Sequence, residues 1–86
     1  MVIKIHIPPL LQQIASNQDT VEVKGATVRE CTDNLKRQFP GFQHWLDESN
    51  PIAWVTVNRK IVGVEEMDQK VSEPDELHIV LLLAGG

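Results

Sequence analysis

Positions 2 to 7 alternate strictly, with Ile3, Ile5 and Ile7 on one side and Val2, Lys4 and His6 on the other. A period of two in β-branched residues marks a half-buried strand, so a first strand with an isoleucine core face is predicted. Pro8-Pro9 end it, because neither residue can donate to a ladder. Leu10, Leu11 and Ile14 then fall at spacings that suit one or two helical turns, ahead of the polar Ser16-Asn17-Gln18-Asp19. This stretch reads as a long loop with an apolar plug. Alternation returns in Thr20-Val21-Glu22-Val23-Lys24 and breaks at Gly25, which predicts an antiparallel hairpin with a wide connection.

The period then lengthens to that of a helix. Thr27-Val28-Arg29-Glu30 has the form of a capping box, in which the threonine hydroxyl accepts from the third following amide and Glu30 reaches back to the amide of Thr27. Val28, Cys31, Leu35 and Phe39 make one apolar stripe, while Arg29, Asp33, Lys36 and Arg37 face water. Pro40-Gly41 stops the helix. Phe42, Trp45 and Leu46 suggest a short second helical turn over the edge of the core, before the polar Asp47-Glu48-Ser49-Asn50.

Ile52 to Asn58 reads as a third strand and Lys60 to Val62 as a short fourth, turning at Asn58-Arg59. Glu65 to Val71 reads as an irregular polar crossing, and Glu73-Pro74-Asp75-Glu76 as a turn that leads into the last strand. In that strand Leu77, Ile79, Leu81 and Leu83 point one way, and His78, Val80 and Leu82 the other. A solvated outer face would carry polar residues at Val80 and Leu82, so a partner is expected to cover that face. The apolar run then turns into Ala84-Gly85-Gly86. Glycine loses more entropy than any other residue when held, and two of them can thread where a side chain would block. Taken alone, this ending also fits a frayed tail.

Composition narrows the picture. Eighty-six residues make one domain with a small core. The net charge of −4, without a block of like charge, offers nucleic acid no electrostatic footprint and favours a basic-faced protein partner. The first residues lack a signal-peptide pattern, and Leu77 to Leu83 is too short to span a bilayer, so a cytoplasmic protein without membrane contact is expected. The single cysteine, Cys31, permits no internal disulfide, no iron-sulfur cluster of the ferredoxin kind and no multi-thiolate zinc site. Its place on the apolar stripe makes it a packing residue rather than a nucleophile. His6 and His78 lie on strands that can sit side by side, but two histidines without a third ligand make a poor metal site, and no metal is expected. His44 reads as an exposed loop residue.

The order strand, strand, helix, strand, strand, strand, with one helix across one mixed sheet, is that of the ubiquitin-like β-grasp. Leu35-Lys36-Arg37-Gln38-Phe39-Pro40-Gly41-Phe42, Val57-Asn58, Asp75-Glu76-Leu77 and the terminal Ala84-Gly85-Gly86 together resemble the MoaD/ThiS family of sulfur carriers. Pro74 stands where family members often have glycine, a departure that touches only the turn type. The resemblance implies an α+β fold with about five strands and one main helix. It further implies a single domain over residues 1–86, with 84–86 as a flexible functional tail, monomeric when free.

The resemblance also implies a protein co-substrate rather than an enzyme, or the small subunit of a molybdopterin-synthase-like complex. A ubiquitin-activating-like adenylyltransferase would use MgATP to join the Gly86 carboxylate to AMP, and sulfur from a persulfide would leave a thiocarboxylate for a sulfur-accepting synthase. The carrier itself would need no cofactor and no catalytic residue. Ala84 and Gly85 would form the tail, and Val80 and Leu82 the docking surface. Molybdopterin, thiamin and cysteine synthesis all use such carriers, and the Phe39 to Phe42 stretch with the turn around Trp45 favours the molybdopterin and cysteine branch. The same residues also suit a ubiquitin-like modifier joined through Gly86 to target lysines, or a β-grasp interaction module whose tail is incidental.

Overall fold

The computed structural model describes residues 2–47 and 52–81. Five strands form one mixed sheet: β1 (Val2–His6), β2 (Thr20–Lys24), β3 (Ala53–Val57), β4 (Lys60–Val62) and β5 (Leu77–Leu81), in the order β2-β1-β5-β3-β4. β1 and β5 are parallel, and the other neighbours are antiparallel. The helix α1 (Val28–Gln38) packs across one face, and a single turn, α2 (Phe42–Trp45), follows it. This is the ubiquitin-like β-grasp that the order of the elements and the family resemblance imply.

The inner face is built by period two from every strand. Ile3, Ile5, Val21, Val23, Val55, Val57, Leu77 and Ile79 are all buried, and each such side chain is worth about 1.5–3 kcal/mol relative to exposure. Val28, Cys31 and Leu35 of α1 meet them with no exposed surface. Phe39 is only partly buried, and Phe42 takes the fully buried aromatic position, with its ring edge-on to that of Phe39. Of the apolar plug, Leu11 is buried while Leu10 remains 65% exposed. A short 3₁₀ turn over Pro9–Leu11 turns only one of the two leucines inward.

The helix start differs in one detail from the expected box. Thr27 Oγ1 accepts from Glu30 N at 3.2 Å, but Glu30 Oε1 accepts from Ala26 N at 2.8 Å, one residue earlier than expected. The amides of Val28 and Arg29 donate instead to the carbonyls of Gln69 and Met67, at 3.0 and 2.7 Å. The crossing after β4 is therefore not merely polar. Its backbone satisfies first-turn amides that a helix cannot satisfy internally, and it buries Met67 and Val71 in doing so. Gly25 has a packing reason beyond ending β2: a Cβ there would stand 2.8 Å from Cys31 Sγ and 2.9 Å from Cys31 N.

The β3–β4 hairpin turns on Asn58 and Arg59, at φ 50° and 74°, the left-handed pair that a two-residue hairpin needs. Asn58 also joins this turn to the start of β5. Its Oδ1 accepts from Glu76 N at 2.9 Å, its own amide donates to Glu76 O at 2.9 Å, and its Nδ2 donates to Asp75 Oδ1 at 3.0 Å.

Candidate functional site

The face of the sheet opposite α1 carries the candidate chemistry. One registered row crosses all five strands there: Thr20 on β2, His6 on β1, His78 on β5, Thr56 on β3 and Ile61 on β4. The next row towards the chain end pairs Val80 with Trp54. Val80 thus emerges on the expected side, but half-buried rather than open, and Trp54 beside it is half-buried too. Sequence patterning gives Trp54 no role, because only the β3–β5 register places it next to Val80.

The direction of β5 is set at its start. At Leu77 and His78 the strand is paired on both sides, to β1 and β3, which holds its course. β1 ends at His6 and Pro8 lies just beyond, so among the described residues Ile79 to Leu81 pair with β3 alone. Leu81, opposite Ala53, is the last described residue. Leu82, Ala84, Gly85 and Gly86, expected to dock, thread and carry the reacting carboxylate, lie outside the described residues.

Cys31 is fully buried under the sheet. Burial, reinforced by the neighbouring Glu30 charge, pushes its thiol up to about 11, which leaves it protonated and unreactive at neutral pH. His6 and His78 do meet on one face, their rings stacked with centroids 4.3 Å apart and planes at 19°. Partial burial lowers the His78 pKa, and the neighbouring His6 and Arg59 add to that, while Glu76 opposes it. Glu76 is the residue missed at the sequence level. It stands two positions before His78, hence on the same face, and a nitrogen or oxygen of each of His6, Glu76 and His78 lies within 4.8 Å of the others. His44 lies in α2, not in a loop, and is exposed.

Comparison with known proteins decides the family. The ThiS family model matches residues 5–86, nearly the whole chain. The chain belongs to the ThiS family. Among solved structures, this ThiS-family chain is similar to CysO in the Amycolatopsis orientalis BexX/CysO complex, at 28% identity and TM-score 0.79, covering 98% of this chain and 99% of that one. SAMP1 from Haloferax volcanii is 20% identical with TM-score 0.77, all of each chain being covered. A chain in the complex of subunits 1 and 2 of molybdopterin-converting factor from Helicobacter pylori 26695 is 12% identical with TM-score 0.69, again over all of both chains. The last two likenesses speak for the fold alone. Comparison with curated protein sequences found no match. Among the described residues, no helix is long and apolar enough to cross a membrane.

Proposed function

We propose that this ThiS-family protein is a cytoplasmic sulfur carrier whose Gly86 carboxylate is the group that works. Membership of the family over residues 5–86, a span that includes the terminal Gly-Gly, carries the reading. A carboxylate is a poor electrophile, so a ubiquitin-activating-like adenylyltransferase must first couple it to AMP from MgATP. A persulfide then attacks the acyl carbon and expels AMP, and a thiol splits the resulting S–S bond to leave the thiocarboxylate. The carrier supplies no catalytic side chain and holds no cofactor of its own. It supplies an address, the docking residues Val80 and Leu82, and a reach: five residues of extended chain after Leu81 can span at most about 18 Å.

CysO in the BexX/CysO structure is solved with a second protein, which supports a carrier that works in complexes, here first with the activating enzyme and then with a sulfur-accepting synthase. The buried Phe42 and the added turn α2 support the molybdopterin or cysteine branch over the thiamin branch. The test is intact mass after incubation with an activating enzyme, MgATP and a persulfide donor. Replacement of one oxygen by sulfur is expected, and none in a chain lacking Gly86. Equal ATP–pyrophosphate exchange by the truncated chain would remove the carrier. An isopeptide product on lysine would make it a modifier instead, and retained function without Gly85 and Gly86 would reduce it to an interaction module.

A further inference from the structure

We propose that His6, Glu76 and His78 form a binding site for one zinc ion on the open face of the sheet. The topology makes the site. β1 and β5 are parallel neighbours whose register sets His6 directly opposite His78, and Glu76, the residue just before β5, brings its carboxylate to within 4.8 Å of donor atoms on both histidines. Imidazole nitrogen and carboxylate oxygen are the donors that zinc takes in three-ligand sites, with a fourth position left to solvent. This donor set suits zinc, copper or nickel far better than magnesium or calcium, which select all-oxygen surroundings.

The distances are close to what an ion needs. Around a tetrahedral zinc with bonds of about 2.0–2.2 Å, ligand atoms stand roughly 3.3–3.6 Å apart. Here the three donor atoms lie within 4.8 Å of one another, so each must move by about 1 Å or less. The rings are stacked with planes 19° apart, whereas an ion requires their nitrogens to converge, so binding must turn at least one ring about its outer torsion. Both rings are only half-buried and Glu76 is exposed, which leaves room for the adjustment.

Two supports already orient the donors. Thr20 Oγ1 lies 3.4 Å from His6 Nδ1; when it accepts the proton on that nitrogen, Nε2 keeps its lone pair for the ion. The backbone of Glu76 is tied to Asn58 through both its amide and its carbonyl, so the carboxylate starts from a fixed point. Arg59 lines the same depression and opposes a dication. It sits on the exposed hairpin turn, from which its side chain can swing away. The site is independent of the tail, and the proposal stands whether or not Gly86 carries sulfur.

The experiment uses the full-length chain without an affinity tag. Zinc alone is titrated calorimetrically, in parallel with a zinc titration followed by the NMR of the histidine rings. One ion per chain is expected, with the His6 and His78 ring resonances shifting and those of His44 unmoved. His78→Gln and Glu76→Gln should each weaken binding at least tenfold, and His44→Gln should change nothing. Magnesium in excess should not displace the zinc. Should the variants fail to fold, the ring resonances of the unaltered chain still decide. Absence of binding at 100-fold excess zinc, binding that leaves the His6 and His78 rings unshifted, or binding abolished by His44→Gln would each overturn the site.

Discussion

The two faces of the sheet obey different rules although the same strands build both. On the inner face, neighbours across the register are Ile3–Val23, Ile5–Val21, Val55–Ile79 and Val57–Leu77, all apolar and all buried beneath α1. On the outer face, the registered row runs threonine, histidine, histidine, threonine, isoleucine, and the next sets a half-buried valine beside a half-buried tryptophan. Close packing over the inner face rewards uniform apolar filling, since a missing methylene there leaves a cavity. Among the described residues no helix packs on the outer face, and in these two rows only Thr56 is buried, the other side chains being half-buried or exposed. Residues one position apart on β5 therefore meet different surroundings: Ile79 lies in the core, and Val80 on the half-buried outer face that we propose meets a partner.

That contrast is broken most directly by placing a charge at each of these neighbours. Ile79→Asp should abolish cooperative unfolding by circular dichroism, because a carboxylate buried without a partner costs several kcal/mol, a large fraction of the stability of so small a domain. Val80→Asp should fold, shift Tm by no more than a few degrees, and weaken binding to the activating enzyme at least tenfold, about 1.4 kcal/mol. Normal partner binding by Val80→Asp would hand the docking role to another surface. A Val80→Asp chain that is itself unfolded would erase the division between faces.

Smaller effects sharpen the picture of the inner side. Gly25→Ala should destabilise by roughly 1–3 kcal/mol in a denaturant titration, since its Cβ would press on the Cys31 backbone, which cannot swing aside. Cys31→Ala should cost about 1 kcal/mol, the loss of one small packed side chain, and leave sulfur acquisition unchanged. In the unaltered chain a thiol-specific reagent at pH 8 should label Cys31 only as fast as the protein opens. Immediate labelling, or a folded Cys31→Ala chain that gains no thiocarboxylate, would put the thiol in the chemistry.

The smallest effect lies at the turn before β5. The Ser72 backbone amide first, and then the Asn58 side chain, hold the Asp75 carboxyl below its usual 3.8. A carboxylate with a depressed folded value contributes stability that is complete above the unfolded value and disappears as pH falls through the lower folded one. Stability should therefore decline below about pH 4 in the unaltered chain, and less steeply in Asp75→Asn. Identical slopes in the two proteins would show that the turn makes no such contribution.

What could be read from the chain alone is what depends on neighbours in sequence. Side chains alternate along a strand and recur every 3.6 residues along a helix, so Ile3-Ile5-Ile7, Val28-Cys31-Leu35 and the turn at Asn58-Arg59 announced the strands, the helix and a hairpin from their own spacing. What depends on residues distant in sequence could not be read that way. The parallel pairing of β1 with β5 is settled by how the whole sheet assembles, and only that pairing stacks His6 on His78, brings Glu76 to them and leaves Ile79 to Leu81 paired on one side. The crossing from Glu65 to Val71 reads as merely polar because the acceptors it offers are carbonyl groups, which every residue carries and no sequence pattern reveals; only the packing of that segment against the first turn of α1, which also buries Met67 and Val71, turns them into its hydrogen-bond acceptors.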